Sequence, residues 1–393
     1  MNHKLILLSF CHLLLTSTLC GQSGDEFQLL IGGPDSSEYA SSFIIDEKED
    51  IYMATIAFHR IDRRSRFKLF KISKDGAVLW SKLYPEYNAT IFPIIKQNDG
   101  SLILAGGAQD SVGSYTLPGS TYLLKTDPFG NPLWEKFFHC GDRGSISQLF
   151  QTYNGWLMMA DGYFSKASEN GKTICLIKTD FDGNQIWGRQ YNIHPDAEGT
   201  ILTQLQNGQF LFILREKTFK EEKTTTIQTI SPDGEVLAQK EVNVAGISDV
   251  IEATDGSIIF QTSENIQVDS GVYESVAYLK TIRADACITL HKFPAGYSIR
   301  GIKITAGHNY VAGMKNKKFI IFKLNKDFEL VGEATIQLEG KKFIDAFFIT
   351  NEENLIFNCI VQKPLPELTE ANKKTKYNYD IQVQKINLTP LFK

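Results

Sequence analysis

Tyr122-Leu123-Leu124-Lys125-Thr126-Asp127-Pro128-Phe129-Gly130-Asn131-Pro132-Leu133-Trp134-Glu135-Lys136-Phe137-Phe138 is an apolar run, a tight turn and a second run with a tryptophan four residues past the glycine. The pattern returns from Cys175 to Tyr191, turning at Asp182-Gly183 with Trp187, and stands earlier from Lys68 to Tyr84, turning at Asp75-Gly76 with Trp80. Weaker copies run from Thr226 to Val242 around Asp233-Gly234 and from Ala277 to Phe293 around Ala284-Asp285. Two more run from Phe319 to Ile336 around Lys326-Asp327 and from Asp380 to Phe392. The glycines at 76, 130, 183 and 234 lie 54, 53 and 51 residues apart. Near-equal intervals of this size mark an internal repeat.

A second hairpin precedes each copy. It turns at Asp99-Gly100, Asn154-Gly155, Asn207-Gly208 and Asp255-Gly256, with decayed versions at Glu49-Asp50, Ala306-Gly307 and Glu353-Asn354. Asx-Gly between apolar runs is a strong hairpin signal, because these residues tolerate the positive φ of a tight turn. Each unit therefore holds four strands in about fifty residues, the size of a propeller blade. The fold class expected is all-β, a seven-bladed β-propeller of four-stranded antiparallel blades. A pair of β-sandwiches would not produce seven equivalent double hairpins. The last copy lacks its outer strand, and Glu26 to Ile31 has the pattern of one. The N-terminal strand is thus expected to pair with Ile381 to Lys385 and close the ring, hiding two open sheet edges.

The motif Lys-Thr-Asp-x-x-Gly-Asn-x-x-Trp, intact at Lys125 to Trp134 and nearly so at Lys178 to Trp187, resembles the blades of quinoprotein-dehydrogenase-like (PQQ-like) bacterial propellers. That resemblance implies the fold. Quinoprotein dehydrogenases space the Asp and Trp of their docking motif eight residues apart. Asp127 to Trp134 and Asp180 to Trp187 are seven apart, and no two cysteines are adjacent. A non-quinone member with no cofactor is what the departure implies.

The first residues differ from the rest. Lys4, an apolar run from Leu5 to Leu19 and small residues at Gly21, Ser23 and Gly24 form the layout of a secretory signal peptide. We read residues 1–21 as signal and 22–393 as one propeller domain, exported to the periplasm, the cell surface or beyond. Cys20 could carry a lipid anchor, but Leu19 before it fits a lipidation box poorly. No later run approaches the length of a membrane span. A net charge of −4, spread without a basic stripe, argues against nucleic acid as a partner. A monomer is expected. Cys140, Cys175, Cys287 and Cys359 remain after the signal. Cys175 and Cys359 sit in strand-core settings and read as buried thiols, although export would permit their oxidation.

In such blades one face of the disc carries the tight glycine turns and the other carries longer loops. The long segments are Phe58 to Arg66, Gly106 to Ser120, Asp161 to Lys172, Arg215 to Thr224, Thr262 to Ser275 and Val361 to Tyr377. Function gathers where loops can vary. Ligand-binding candidates there are His59, Arg63, Tyr115, His139, Arg143, Tyr163, His194 and Asp196. The three histidines lack paired metal-ligand spacing and read as solvated loop residues. Asp180-Phe181-Asp182-Gly183-Asn184 looks like the start of a calcium loop, yet it lacks the bidentate glutamate and reads better as an Asx-capped turn. The tryptophans hold a fixed place after a structural glycine and read as blade packing, not as a sugar-stacking row. No nucleophile elbow, zinc helix or phosphate loop occurs. The function expected is an exported, non-catalytic binding or scaffold propeller for a glycan, peptide or protein ligand. The alternative is a polysaccharide hydrolase or lyase, using loop carboxylates such as Asp110, Asp161, Glu169, Asp196 and Glu264.

Overall fold

A computed structural model of the chain describes residues 26–392, except 33–35, 60–64, 85–87, 110–120, 164–171, 194–198, 216–224, 243, 245–246, 284–285, 306, 317, 338–341, 351 and 365–376. Its turns form as the repeat requires. Gly130 and Gly183 take φ of 78° and 76°, in the left-handed region. Asp127 Oδ1 accepts the amides of Phe129 at 2.9 Å and Asn131 at 2.8 Å. Asp180 does the same for Asp182 and Asn184, and its Oδ2 accepts Asn184 Nδ2 at 3.0 Å. The carboxylate caps its own turn, as the sequence reading held.

Strand β1 (Phe27–Ile31) precedes the first blade, which holds β2 (Ser36–Ile45), β3 (Ile51–His59), β4 (Ser65–Ile72) and β5 (Val78–Tyr84). Blade 2 holds β6 (Asn88–Lys96), β7 (Leu102–Gln109), β8 (Thr121–Thr126) and β9 (Pro132–Phe138). Blade 3 holds β10 (Arg143–Thr152), β11 (Gly155–Tyr163), β12 (Lys172–Thr179) and β13 (Gln185–Ile193). Blade 4 holds β14 (Gly199–Gln204), β15 (Phe210–Arg215), β16 (Thr225–Ile230) and β17 (Val236–Val242). Blade 5 holds β18 (Ile247–Glu252), β19 (Ile258–Asp269), β20 (Val272–Arg283) and β21 (Ala286–Lys292). Blade 6 holds β22 (Ser298–Ile304), β23 (Asn309–Lys315), β24 (Lys318–Leu324) and β25 (Leu330–Gln337). Blade 7 holds β26 (Lys342–Ile349), β27 (Asn354–Pro364) and β28 (Tyr377–Asn387), and β1 completes it. Seven four-stranded antiparallel sheets result, a seven-bladed propeller.

Closure follows the expected register, from Phe27 opposite Lys385 to Ile31 opposite Ile381. Phe27, Leu29 and Ile31 are buried with Met53, Phe70 and Val383 in the seam between blades 7 and 1. Every other seam has its own apolar cluster, so the core is a ring of interblade layers.

The tryptophans bind one blade to the next. A Cβ on Gly130 would lie 3.1 Å from the Trp80 ring, one on Gly183 2.9 Å from Trp134, and one on Gly234 2.6 Å from Trp187. Two residues beyond the tryptophan, Lys82 Nζ donates to Asn131 Oδ1 at 2.8 Å and Lys136 Nζ to Asn184 Oδ1 at 3.1 Å. Arg189 donates to the Gly234 carbonyl in the same way. A bulge just before each tryptophan turns the preceding aliphatic residue outward. Leu79, Leu133 and Ile186 are accordingly exposed on the rim.

Two expectations are corrected. Cys175 is not a thiol: it forms a disulfide with Cys140, their Cα atoms 5.8 Å apart. Cys140 lies in the link from blade 2 and Cys175 in β12 of blade 3, a proximity that sequence spacing does not reveal. Cys359 remains a buried thiol and Cys287 an exposed one. Thr262 to Ser275 is also not an irregular loop. It continues β19 and β20 as a ladder, with one bulge between Gln267 and Asp269, down to a turn at Ser270-Gly271.

Candidate functional site

The segments between second and third strands, and the links between blades, all emerge on one face. His59 ends β3 opposite Ser36, and Arg143 opens β10 directly opposite Tyr163, the last residue of β11. His139 lies exposed in the link just before the Cys140 disulfide. Arg143 and Tyr163 are therefore cross-strand neighbours on blade 3, with His139 four residues upstream on the same face. Arg63, Tyr115, His194 and Asp196 fall outside the described residues. Among the carboxylates, Asp161 lies in β11 opposite Ser145, whereas Glu264 is held by Lys280 in an ion pair. Among the described residues no three His, Cys, Asp or Glu side chains converge as a metal site would need.

The innermost strands line the axis, and six of them bulge within their pairing to the second strand. A bulge leaves one residue unpaired and re-aims it. The unpaired positions include Ser41, Ser147, Ser248 and Arg300. Beside Ser248, Asp249 is pushed by burial above the ordinary carboxylate range, against the lowering effect of the Val250 amide. On blade 1 Glu38 is buried and accepts from Thr55 Oγ1 at 3.3 Å. Burial lowers the Lys68 ammonium on the same sheet, with the Glu38 charge opposing. Sequence reading missed Glu38 and Asp249. Their only signal was an acid in an otherwise alternating inner strand, as in Ile247-Ser248-Asp249-Val250-Ile251.

Blades 5 and 6 differ from each other on this face. The β19–β20 hairpin of blade 5 runs beyond its flanking strands, since β18 pairs with β19 only as far as Thr262. On the outer side the cover ends where Gly296 N donates to Ser275 O at 2.9 Å. Blade 6 instead turns at Asn316, immediately after Lys315. A tall hairpin thus stands beside a low blade.

One side of that hairpin looks over blade 6. Gln261 Nε2 reaches Ser248 Oγ at 2.8 Å and the Ile299 carbonyl of blade 6 at 3.4 Å. Ala277 and Leu279 pack with Val311 and Ile320 of blade 6. By the two-residue period of a strand, Ser263, Asn265 and Gln267 continue the Gln261 side, and Tyr273 and Ser275 continue the Ala277 side. All five are exposed. Glu264 and Glu274 fall on the opposite side, toward blade 4.

No protein-family model and no curated protein matches this chain. Solved structures do resemble it. The β-propeller domain of the trilobed protease from Pyrococcus furiosus superposes with a TM-score of 0.52 at 8% identity, over 90% of this chain and 96% of that one. The Dos1 propeller gives 0.50 at 10% identity, over 89% and 79%. A polysaccharide lyase, PL25-Ulvanlyase, gives 0.50 at 8% identity, over 90% and 95%. At such identities the likeness shows the propeller fold and nothing finer.

Proposed function

We propose that this chain is an exported, monomeric binding propeller, without catalysis or cofactor, that holds a glycan, peptide or protein segment on its long-loop face. The asymmetry of the disc carries this reading. One face consists of tight turns closed by backbone hydrogen bonds, such as Gly100 N to Gln97 O at 2.9 Å and Gly208 N to Leu205 O at 2.9 Å. The other is where second strands end and third strands begin, with the projecting hairpin of blade 5 and the register pair of Arg143 and Tyr163. Aromatic and guanidinium side chains are residue types that suit a polar ligand.

Export is supported by the N-terminal layout and by the Cys140–Cys175 disulfide, since such bonds persist in oxidising compartments. Among the described residues no helix is long and apolar enough to cross a membrane. Membership of the quinoprotein-like class, as a non-quinone branch, is supported by the repeat motif. Its tryptophans are already engaged against the next blade's glycine. A lyase or hydrolase reading draws on Asp249, a half-buried carboxyl whose pKa is raised by desolvation, and on a polysaccharide lyase sharing the fold. Asp249 and Glu38 lie on non-adjacent blades, which disfavours the close carboxylate pair that glycoside hydrolysis uses.

The test screens the mature protein against glycan and peptide panels, then repeats the best binder with Arg143→Ala, Tyr163→Ala and a turn-face control, Asp99→Ala. Loss in either of the first two with the control unaffected is expected. Binding that survives both and falls in the control would place the site on the other face. Turnover of a bound polysaccharide, abolished by Asp249→Asn, would establish the enzyme instead.

A further inference from the structure

The cleft between the blade-5 hairpin and the low edge of blade 6 has a composition that a solvated hairpin does not need. Its wall is Ser263, Asn265, Gln267, Tyr273 and Ser275, all hydroxyl, amide or phenol. Every acid on the projecting hairpin other than Asp269 at the tip lies on the far side. A surface under no demand but solubility intersperses its charges. The Tyr273 ring is 63% exposed, so it contributes nothing to the core.

The floor is basic and built. Lys315 crosses Gly296, where a Cβ would lie 3.6 Å from its Cε. Its ammonium sits 4.6 Å from the centre of the Tyr297 ring and donates to the Ala295 carbonyl at 2.8 Å. Gly296 is the residue that donates to Ser275, so this cation stands at the foot of the wall. Lys318 is exposed beside it, and Arg300 occupies the exposed bulge of β22 toward the axis. At the inner end Gln261, only 4% exposed, keeps its Oε1 without a hydrogen-bond partner. From Ser263 to Asp269 the wall is seven residues, roughly 23 Å at the usual strand rise, long enough for several sugar rings.

We propose that this cleft binds a segment of acidic polysaccharide, with uronate or sulfate groups on Lys315, Lys318 and Arg300, sugar hydroxyls on the amide wall and one ring face on Tyr273. The proposal rests on the long-loop-face reading and narrows it to one cleft and one ligand class. A peptide added to the free β19 edge would use backbone groups and would not need the side chains of the wall.

Calorimetric titration of the mature protein with polygalacturonate, dextran sulfate and neutral dextran tests it. Binding to at least one polyanion, weakened by added salt, is expected, with neutral dextran far weaker. Tyr273→Ala should weaken binding by roughly two- to tenfold, the usual worth of a ring contact. Lys315→Gln should weaken it by about tenfold or more, as loss of a charged hydrogen bond does, and flatten the salt dependence. Both side chains lie at the surface, and unchanged melting temperatures will show that the variants fold. Binding untouched by both changes but lost in Arg143→Ala or Tyr163→Ala would overturn the cleft and leave the face reading standing. Loss only in Asp99→Ala would overturn both. Equal affinity for neutral dextran, no polyanion binding, or a panel peptide whose binding depends on Tyr273 and Lys315 would overturn the ligand class.

Discussion

Substituting two turn glycines by alanine separates the cost of backbone conformation from the cost of the interblade contact. Gly183 and Gly208 have nearly the same φ, 76° and 80°. Alanine in the left-handed region costs about 1–2 kcal/mol, and its stiffening of the unfolded chain returns roughly 0.4–1 kcal/mol. Around Gly208 a new Cβ meets nothing within 4 Å, so Gly208→Ala should cost only about 1 kcal/mol. Around Gly183 it would lie 2.8 Å from Lys136 Cγ and 2.9 Å from Trp134 Cζ3. Overpacking of that kind adds about 1–3 kcal/mol, for a total of roughly 2–4 kcal/mol. The extra cost should fall in a Trp134→Ala background, where the ring is gone and only the flexible Lys136 side chain still has to give way. Urea unfolding of the four variants and the parent, compared at the midpoint with constant m, measures each term. Equal costs at the two glycines, or an increment at Gly183 that is undiminished without Trp134, would refute the idea that tryptophan and glycine form one interblade unit.

Deleting residues 22–33 should destabilise the whole ring. It exposes two strand edges and removes Phe27, Leu29 and Ile31, together worth roughly 5–9 kcal/mol at about 1.5–3 kcal/mol per buried side chain, and an unchanged thermal transition would rule the closure out. Reducing the Cys140–Cys175 bond should cost about 4 kcal/mol, from the chain entropy of a cross-link spanning 35 residues. A melting temperature indifferent to dithiothreitol would contradict it. Asp249→Asn should stabilise the protein at pH 7 and do little at pH 3. A carboxyl whose folded pKa is raised imposes no penalty below its unfolded value near 3.9 and an increasing one as pH rises through the folded value. The same stability change at both pH values would show that its ionisation is not disfavoured.

The repeat was legible because one motif encodes two contacts at once. Asp, Gly and Asn build the turn, while Trp and the lysine two residues later grip the next turn along. Where copies fade, the backbone keeps its shape without glycine. Glu49, Phe328 and Glu353 hold positive φ of 62°, 64° and 60°. Their side chains supply a compensating contact. Glu49 receives Lys385 at 2.7 Å from the neighbouring blade, Glu353 receives Lys323, and Phe328 is buried in the seam between blades 5 and 6. Hydrogen bonds from Lys323 and Tyr310 outweigh the burial of Glu353 and hold its carboxyl below its ordinary value. The interblade bond survives the same drift, since His291 Nδ1 donates to the Phe328 carbonyl at 2.9 Å where Arg189 serves Gly234. Burial lowers the pKa of that imidazole, consistent with a neutral ring donating from Nδ1.

What stayed hidden was whatever depends on proximity or on weak β-propensity. Cys140 and Cys175 meet only after blade 3 has folded beside its incoming link. The wall of Ser263-Glu264-Asn265-Ile266-Gln267 reads as loop because amide and hydroxyl residues carry little strand signal, although Ser270-Gly271 marked its turn. Both facts bear on where function sits. Blades 1 to 3 keep the tryptophan–glycine motif, which ties their outer strands to fixed partners. In the seam between blades 5 and 6, Phe293 and Tyr297 both pack against Phe322 instead. Freed from the motif, blade 5 could lengthen one hairpin and blade 6 shorten its own without opening the core between them. The projecting wall and its basic floor stand at that seam. A site on a repeat protein belongs where neighbouring units have stopped being equivalent, and the tall hairpin of blade 5 beside the low turn of blade 6 is such a place.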